Sequence, residues 1–385
     1  MNNIKIGFAS LSLIIILIIY FCLFLITVNF PSTRNSKVKN EDCCFDAVIK
    51  SDISSCNKSS EIHSLTEDVD CFQAFMFTKM NIPWKLEHKH STTKKCTFNG
   101  TYEKCPWICN KCTFVTMKNI IGRTGNQMFQ VASLFGIAQK RGLIPIIPST
   151  ISINKWFNLP TLTEVSKPIH QTEVKEQGFG KYLNEIEDID ENMNWTITGY
   201  LQSFRYFDTS DDIIHELFKM KLEKRMRAQN LLRSISPYDE IVCMHVRRGD
   251  FLKLKNIKLG YNPIDYRFIN ASMNYFLSSF KNITFVILSD DMSWCKEYIK
   301  GENVVFSPFR EAIDDFALLI SCKNVVITSG TFGWWGAYLS GGKVVYNNGF
   351  PAKGSWLDKR LNRDDYYFTT WTGLGDNDSN VSYLK

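Results

Sequence analysis

Hydrophobic positions along the chain fall into three regimes. From Ile6 to Phe30 runs a stretch of 25 residues without a charge, most of them Ile, Leu and Phe. As a helix it would measure about 38 Å, enough for a hydrocarbon core of about 30 Å. It ends Val28-Asn29-Phe30-Pro31 and not in the small residues of a cleavage site. An uncleaved transmembrane signal-anchor over 6–30, behind a cytoplasmic tail at 1–5, is therefore expected. Lys5 precedes the run and Arg34, Lys37 and Lys39 follow it, so flanking charge does not set its orientation. Residues 31–113 are polar, with no sustained period, and read as a stem.

From 114 onward, apolar runs of strand length alternate with helical spacing. Phe114–Ile121 reads as a strand and Gly122-Arg123-Thr124-Gly125-Asn126 as a glycine-rich turn. Gln127–Arg141 reads as a helix closed by Gly142, and Leu143–Ile147 as the next strand. A long amphipathic helix is expected over Asp211–Ser234. Strands follow at Glu240–His245, Ile283–Leu288, Val304–Phe306, Val325–Ile327 and Val344–Tyr346, with helices at Asp265–Phe280, Ala312–Ser321 and Thr331–Leu339 between them. Unbroken apolar strands separated by helices predict parallel sheets covered on both faces. The expected fold is α/β, with two Rossmann-like domains at 114–235 and 236–350 facing a cleft, and a tail at 351–385.

Composition narrows the class. Hydrophobic residues make up 44% of 385 and charged residues 22%, which suits a globular body and excludes a disordered or polytopic membrane chain. A net charge of +6 is too small for a nucleic-acid footprint and permits a local cationic site for an anion. Cys43, Cys44, Cys56, Cys71, Cys96, Cys105, Cys109 and Cys112 crowd into the stem. They read as disulfides in an oxidising compartment in preference to a zinc site, with pairing left open. Sequons at Asn57, Asn99, Asn194, Asn270, Asn282, Asn377 and Asn380 point to the same lumen as candidate glycosylation sites.

Candidate chemistry lies where strands end, the position at which doubly wound sheets bind ligands. The turn Arg123, Gly125, Asn126, Gln127 opens a helix, but the dinucleotide fingerprint GxGxxG is absent. His245-Val246-Arg247-Arg248-Gly249-Asp250 follows an apolar strand. Paired arginines there need an anion or carboxylates, and a diphosphate suits their bidentate geometry; an ion pair such as Arg248 with Asp250 is the plain alternative. Ser289-Asp290-Asp291 offers carboxylates for a ribose, a base, a metal or a helix cap. Thr328-Ser329-Gly330-Thr331-Phe332 is a strand-to-helix turn able to cradle phosphate with bare amides. The aromatics Phe332, Trp334 and Trp335 wall that site or pack between helix and sheet.

These motifs, in this order, resemble the α-1,2-fucosyltransferases of glycosyltransferase family 11: 122–128, 245–250, 289–291 and 328–335, together with Gly199-Tyr200-Leu201-Gln202-Ser203 and Tyr206-Phe207. The likeness covers about 115–350 and looks strongest to nematode-type members; Thr124 departs from the apolar residue usual in that loop. The resemblance implies a GT-B architecture and an inverting transfer from GDP-fucose to a terminal galactose, with no metal or other cofactor. It also implies a single-pass type II Golgi membrane protein with a luminal catalytic domain. On that basis Arg247, Arg248, Asp250 and His245 are the candidate catalytic residues. Arg123, Gly125, Asn126, Gln127, Ser289, Asp290, Asp291, Thr328, Ser329, Gly330, Thr331 and Phe332 are candidates for donor binding. A fucosyltransferase of another linkage or protein acceptor, or a non-catalytic glycan-binding relative, would carry the same motifs.

Overall fold

The structure, a computed structural model, describes residues 68–69, 96–98, 107–109, 113–148, 151–160, 171–178, 180–235 and 240–375. The chain divides into two compact units, 1–42 and 43–385, and every described residue lies in the second. Among the described residues no helix is long and apolar enough to cross a membrane. This corrects the expected fold class: the described residues form an α/β body without a membrane-crossing helix. The run 6–30 that prompted that form lies outside the described residues, as do the side chains of the eight cysteines between Cys43 and Cys112. The described part of 31–112 is a small antiparallel sheet ordered Asp68–Val69, Cys96–Phe98, Trp107–Cys109, in which Cys96 lies opposite Cys109.

Two parallel sheets form the body. The first is ordered Ile144–Ile146, Phe114–Met117, Asn194–Thr198, Gln171–Lys175. The second is ordered Val304–Phe306, Ile283–Ser289, Glu240–Val246, Asn324–Ile327, Lys343–Asn347, Thr372–Leu374. Its central strands are buried along nearly their whole length, as sheets covered on both faces require.

The helix Thr124–Arg141 begins inside the expected turn, before the Gln127 start read from the sequence, and ends at Gly142, whose φ of 61° closes it as foreseen. Every residue from Gln127 to Gln139 is buried, so this is a core helix, covered all round. Its polar members are matched: the Gln130 amide bonds both the N–H and the C=O of Ile121 (3.0 and 2.7 Å), and the Ser133 hydroxyl donates to the Leu201 carbonyl (3.0 Å). An aromatic cluster joins it to the helix Thr331–Ser340. The Phe129 ring centroid lies 4.4 Å from that of Trp334 and 5.0 Å from that of Trp335, and both indoles are wholly buried. The tryptophans thus take the packing role.

Three expectations change. The helix foreseen over 211–234 is two, Asp211–Leu217 and Leu222–Ile235, because Met220 leaves the helical path to bridge Phe157 and both side chains are buried. The strands Gln171–Lys175 and Asn194–Thr198 were not foreseen. Residues 351–374, read as a tail, fold onto the body: Tyr366 and Tyr367 are buried, and Thr372–Leu374 extends the second sheet. A disulfide joins Cys243 of the central strand to Cys322 after the helix Ala312–Ser321, with Cα atoms 5.9 Å apart.

Trp334 packs between Phe129 and Tyr338, and its Nε1 donates to the Tyr366 carbonyl (2.7 Å). Trp334→Ala is expected to lower the unfolding free energy by about 3–5 kcal/mol in a urea titration; a loss below about 1 kcal/mol would show that this cluster does not hold the body together.

Candidate active site

Register creates the site. His245 stands opposite Leu288 on one side and Ile327 on the other, so three adjacent parallel strands finish at one level. The loops 246–250, 289–291 and 328–331 therefore emerge together at the carboxyl edge. They are stitched by short bonds. The Arg247 N–H donates to Thr328 Oγ1 (2.8 Å), the Ser289 hydroxyl to the Val246 carbonyl (2.8 Å), the Arg248 N–H to Asp290 Oδ1 (2.9 Å) and the Asp291 N–H to Ser289 Oγ (2.9 Å). Asp291 also caps the helix Met292–Tyr298 through the Trp294 N–H, one of the roles foreseen for it.

The two arginines diverge. The Arg247 guanidinium pairs with Asp250 and with Asp290 and lies 5.0 Å from the Phe251 ring centroid. The Arg248 guanidinium donates to Asp291 (3.2 Å) and to the Ile264 carbonyl (2.6 Å) and lies 3.9 Å from the Trp294 ring centroid. Each side chain is 12% exposed. Burial lowers the proton affinity of Arg247 from its ordinary value, with Asp250 opposing it; a guanidinium stays charged regardless. The alternative pair Arg248–Asp250 is not formed: Asp250 instead bridges Arg247 and Arg123, whose Nη2 is 3.0 Å away. Three guanidinium groups thus meet three carboxylates, and the cluster is neutral. Anion binding here means exchanging carboxylate for ligand.

The opposite wall comes from the first sheet. Asn126 Oδ1 accepts from Gln202 Nε2 and from Thr331 Oγ1, both at 2.9 Å, which fixes the amide plane and leaves its nitrogen as the group to present. Gly125 is required for this approach, since a Cβ there would lie 2.6 Å from the Thr331 backbone, and its carbonyl accepts from Trp335 Nε1 (3.0 Å). Gln127 does not join the site. It is buried, donates to the Gly122 carbonyl (3.0 Å) and accepts from the Ser152 N–H and hydroxyl (3.0 and 2.9 Å). Thr328 and Ser329 are buried under the turn, and Gly330, at φ 82°, begins the helix at Thr331.

His245 is also withdrawn from its expected catalytic role. Its ring is buried, sits 5.0 Å from the Phe332 centroid, and its Nδ1 has no partner among the described residues. Burial, and secondarily Arg247, pushes its pKa down to about 3, so it is neutral at working pH and serves with Phe332 as wall. Sequence reasoning gave no role to Tyr261, close to Asp250 and Arg247, or to Glu176, under residues 200 and 201. Of the sequons, Asn270 and Asn282 are exposed. Asn194 has its Oδ1 occupied by the Phe114 N–H (3.1 Å), and Asn57, Asn99, Asn377 and Asn380 lie outside the described residues.

The unfolded chain binds a proton on this histidine below its ordinary value of 6.5, whereas the folded chain resists it down to about 3. His245 therefore removes stability as pH falls through that window. His245→Gln is expected to flatten the decline of the melting temperature between those limits; an unchanged decline would assign it to other groups.

Residues 107–375 match the family model described as glycosyl transferase family 11. Galactoside 2-alpha-L-fucosyltransferase SEC1 of Bos taurus is 30% identical over 286 residues, covering 67% of this chain and 73% of the relative. Galactoside alpha-(1,2)-fucosyltransferase 2 of Sus scrofa is 30% identical over 284 residues, covering 66% and 78%. Among solved structures, NodZ alpha-1,6-fucosyltransferase soaked with GDP-fucose aligns over 62% of this chain and 96% of its own, at 16% identity and a TM-score of 0.43. The matched stretch holds the three stitched loops and the Asn126 wall, and the protein belongs to glycosyl transferase family 11.

Proposed function

We propose that the protein is a galactoside α-1,2-L-fucosyltransferase that moves fucose from GDP-fucose to the 2-hydroxyl of a terminal galactose. The observation that carries this reading is the convergence of Arg247 and the 328–331 turn at one sheet edge with Asn126 meeting them from the other sheet, in a chain whose relatives bear that name. In the reaction the acceptor oxygen attacks fucose C1 from the face opposite the nucleotide. The bond from C1 to the phosphate oxygen breaks, and its electrons leave on GDP.

Charge therefore grows on the β-phosphate as the bond lengthens, and groups aimed at that charge lower the barrier. Arg247 supplies the guanidinium, and the Gly330–Thr331 helix start supplies amides. Arg248, fixed against Asp291, the Ile264 carbonyl and Trp294, shapes the loop that carries Arg247. Asp250, held between two guanidinium groups, organises Arg247. A transition state with an early-breaking C1–O bond demands no more than weak assistance in removing the acceptor proton.

The proposed location is the lumen of the secretory pathway, as expected for the Golgi. The Cys243–Cys322 disulfide and the exposed sequons at Asn270 and Asn282 support it.

Incubating the purified protein with GDP-fucose and a glycan ending in galactose is expected to yield a fucose on galactose O2, read by NMR of the product. Fucose at another position would replace the linkage, and no transfer to any member of a glycan array would remove the activity. Arg247→Ala is expected to lower kcat by about 10²- to 10³-fold with a native circular dichroism spectrum; retained turnover would take Arg247 out of the reaction.

A further inference from the structure

The loop after the strand Asn194–Thr198 is the least relaxed part of the site. Gly199 has a φ of 152°, and Leu201 is the non-glycine residue with positive φ among the described residues, at 50°. Left-handed backbone is unfavourable for a leucine and persists only where its surroundings impose it. Leu201 is wholly buried, and its carbonyl accepts from Ser133 of the core helix.

What imposes the turn is Glu176, at the end of the neighbouring strand. Its Oε2 accepts from the N–H of Tyr200 (2.7 Å) and of Leu201 (3.1 Å). Gly199 makes room for it: a Cβ there would lie 2.6 Å from that oxygen. The other oxygen, Oε1, is buried and has no partner among the described residues. A carboxylate engaged by backbone N–H groups in this way is a positioning group rather than a general base.

The loop it fixes runs straight into the site. Gln202, the next residue, donates to Asn126 Oδ1, which also takes the Thr331 hydroxyl. Tyr200 stands exposed on the other side of the turn, within electrostatic reach of Tyr261 beside Asp250 and Arg247. We propose that Glu176 is a positioning residue for fucosyl transfer: its ionised carboxylate clamps the 200–202 turn, and the turn sets Gln202 and hence the Asn126 amide against the reacting sugar. This rests on the fucosyltransferase reading above and adds to it a residue outside the recognised motifs.

Ionisation links the clamp to pH. Burial raises the Glu176 pKa to about 7 against the three backbone N–H groups of 200–202, which favour the charged form. Bonds from N–H to a carboxylate are stronger than to a neutral acid, so the clamp tightens as pH rises through 7. The titratable neighbour whose field couples to Glu176 is Tyr206, and burial pushes its own ionisation far above that range.

The test uses the full chain and two variants, Glu176→Gln and Glu176→Ala, with kcat and KM for GDP-fucose measured from about pH 5.5 to about pH 8.5. Wild type is expected to gain kcat through pH 7, Glu176→Gln to lose that rise, and Glu176→Ala to lose kcat by about 10-fold to 100-fold while KM for GDP-fucose changes little. Amide exchange of peptides covering 199–203 supplies a second readout, with protection lost in Glu176→Ala and nearly kept in Glu176→Gln. An unchanged pH rise in Glu176→Gln, or full kcat in Glu176→Ala, overturns the proposal. Should wild type transfer no fucose, the functional reading falls while the exchange data still decide the clamp: equal protection in all three proteins removes it.

Discussion

A guanidinium buried at the rim of a parallel sheet has to be neutralised by something, and the choice of partner governs this molecule. Arg247 has little water around it and two carboxylates against it, one from its own loop and one from the loop of the neighbouring strand. Removing either acid would leave a desolvated charge, which costs several kcal/mol, so both acids hold the loops in place when no ligand is bound. A diphosphate offers the same two features, negative charge and paired oxygens.

The same cluster joins the two sheets. Arg123, from the loop after the strand Phe114–Met117, reaches Asp250, and Asn126 meets Thr331, so each half of the molecule completes the polar shell of the other. Arg123 is an exposed residue, and its pair with Asp250 is worth little by itself. Beneath it, the Trp335–Gly125 bond and the Phe129 cluster are buried and set the distance between the helices that carry these groups. Packing thus determines the geometry and the surface ion pair follows it. This order explains why a glycine is needed at 125, where any side chain would separate the two helix starts.

Much of this architecture could be read from the chain because its signals are local. Ile283–Ser289 and Asn324–Ile327 are mostly apolar and buried, as a strand covered on both faces tends to be. Gln171–Lys175 contains one apolar residue and lies at a sheet edge, where little hydrophobic pattern is demanded, so it left no trace. The break at 218–221 depends on Phe157, and the Cys243–Cys322 bridge joins residues 79 apart; neither partner is visible from the other's neighbourhood. In the site, the residue types were legible and their partners were not. Adjacent arginines announced an anion, but only the fold could send one to Asp290 and the other to Trp294 and the Ile264 carbonyl. His245 and Gln127, polar in sequence, proved to be buried parts of the scaffold.

Glu176 shows the limit most sharply. Nothing in Gln171-Thr-Glu-Val-Lys-Glu marks its last residue as different from an exposed acid on a polar strand. Its distinction arises because the strands Gln171–Lys175 and Asn194–Thr198 run parallel in register, Lys175 opposite Thr198, so the two chains leave the sheet side by side. An acid one residue beyond one end then faces the amides two to four residues beyond the other. Parallel registration does at this edge what it does around Arg247: it gathers residues far apart in sequence onto one level, where a single carboxylate can organise several backbone groups. The two clusters meet at Asn126 and Thr331, and each strand end contributes to the placement of one amide.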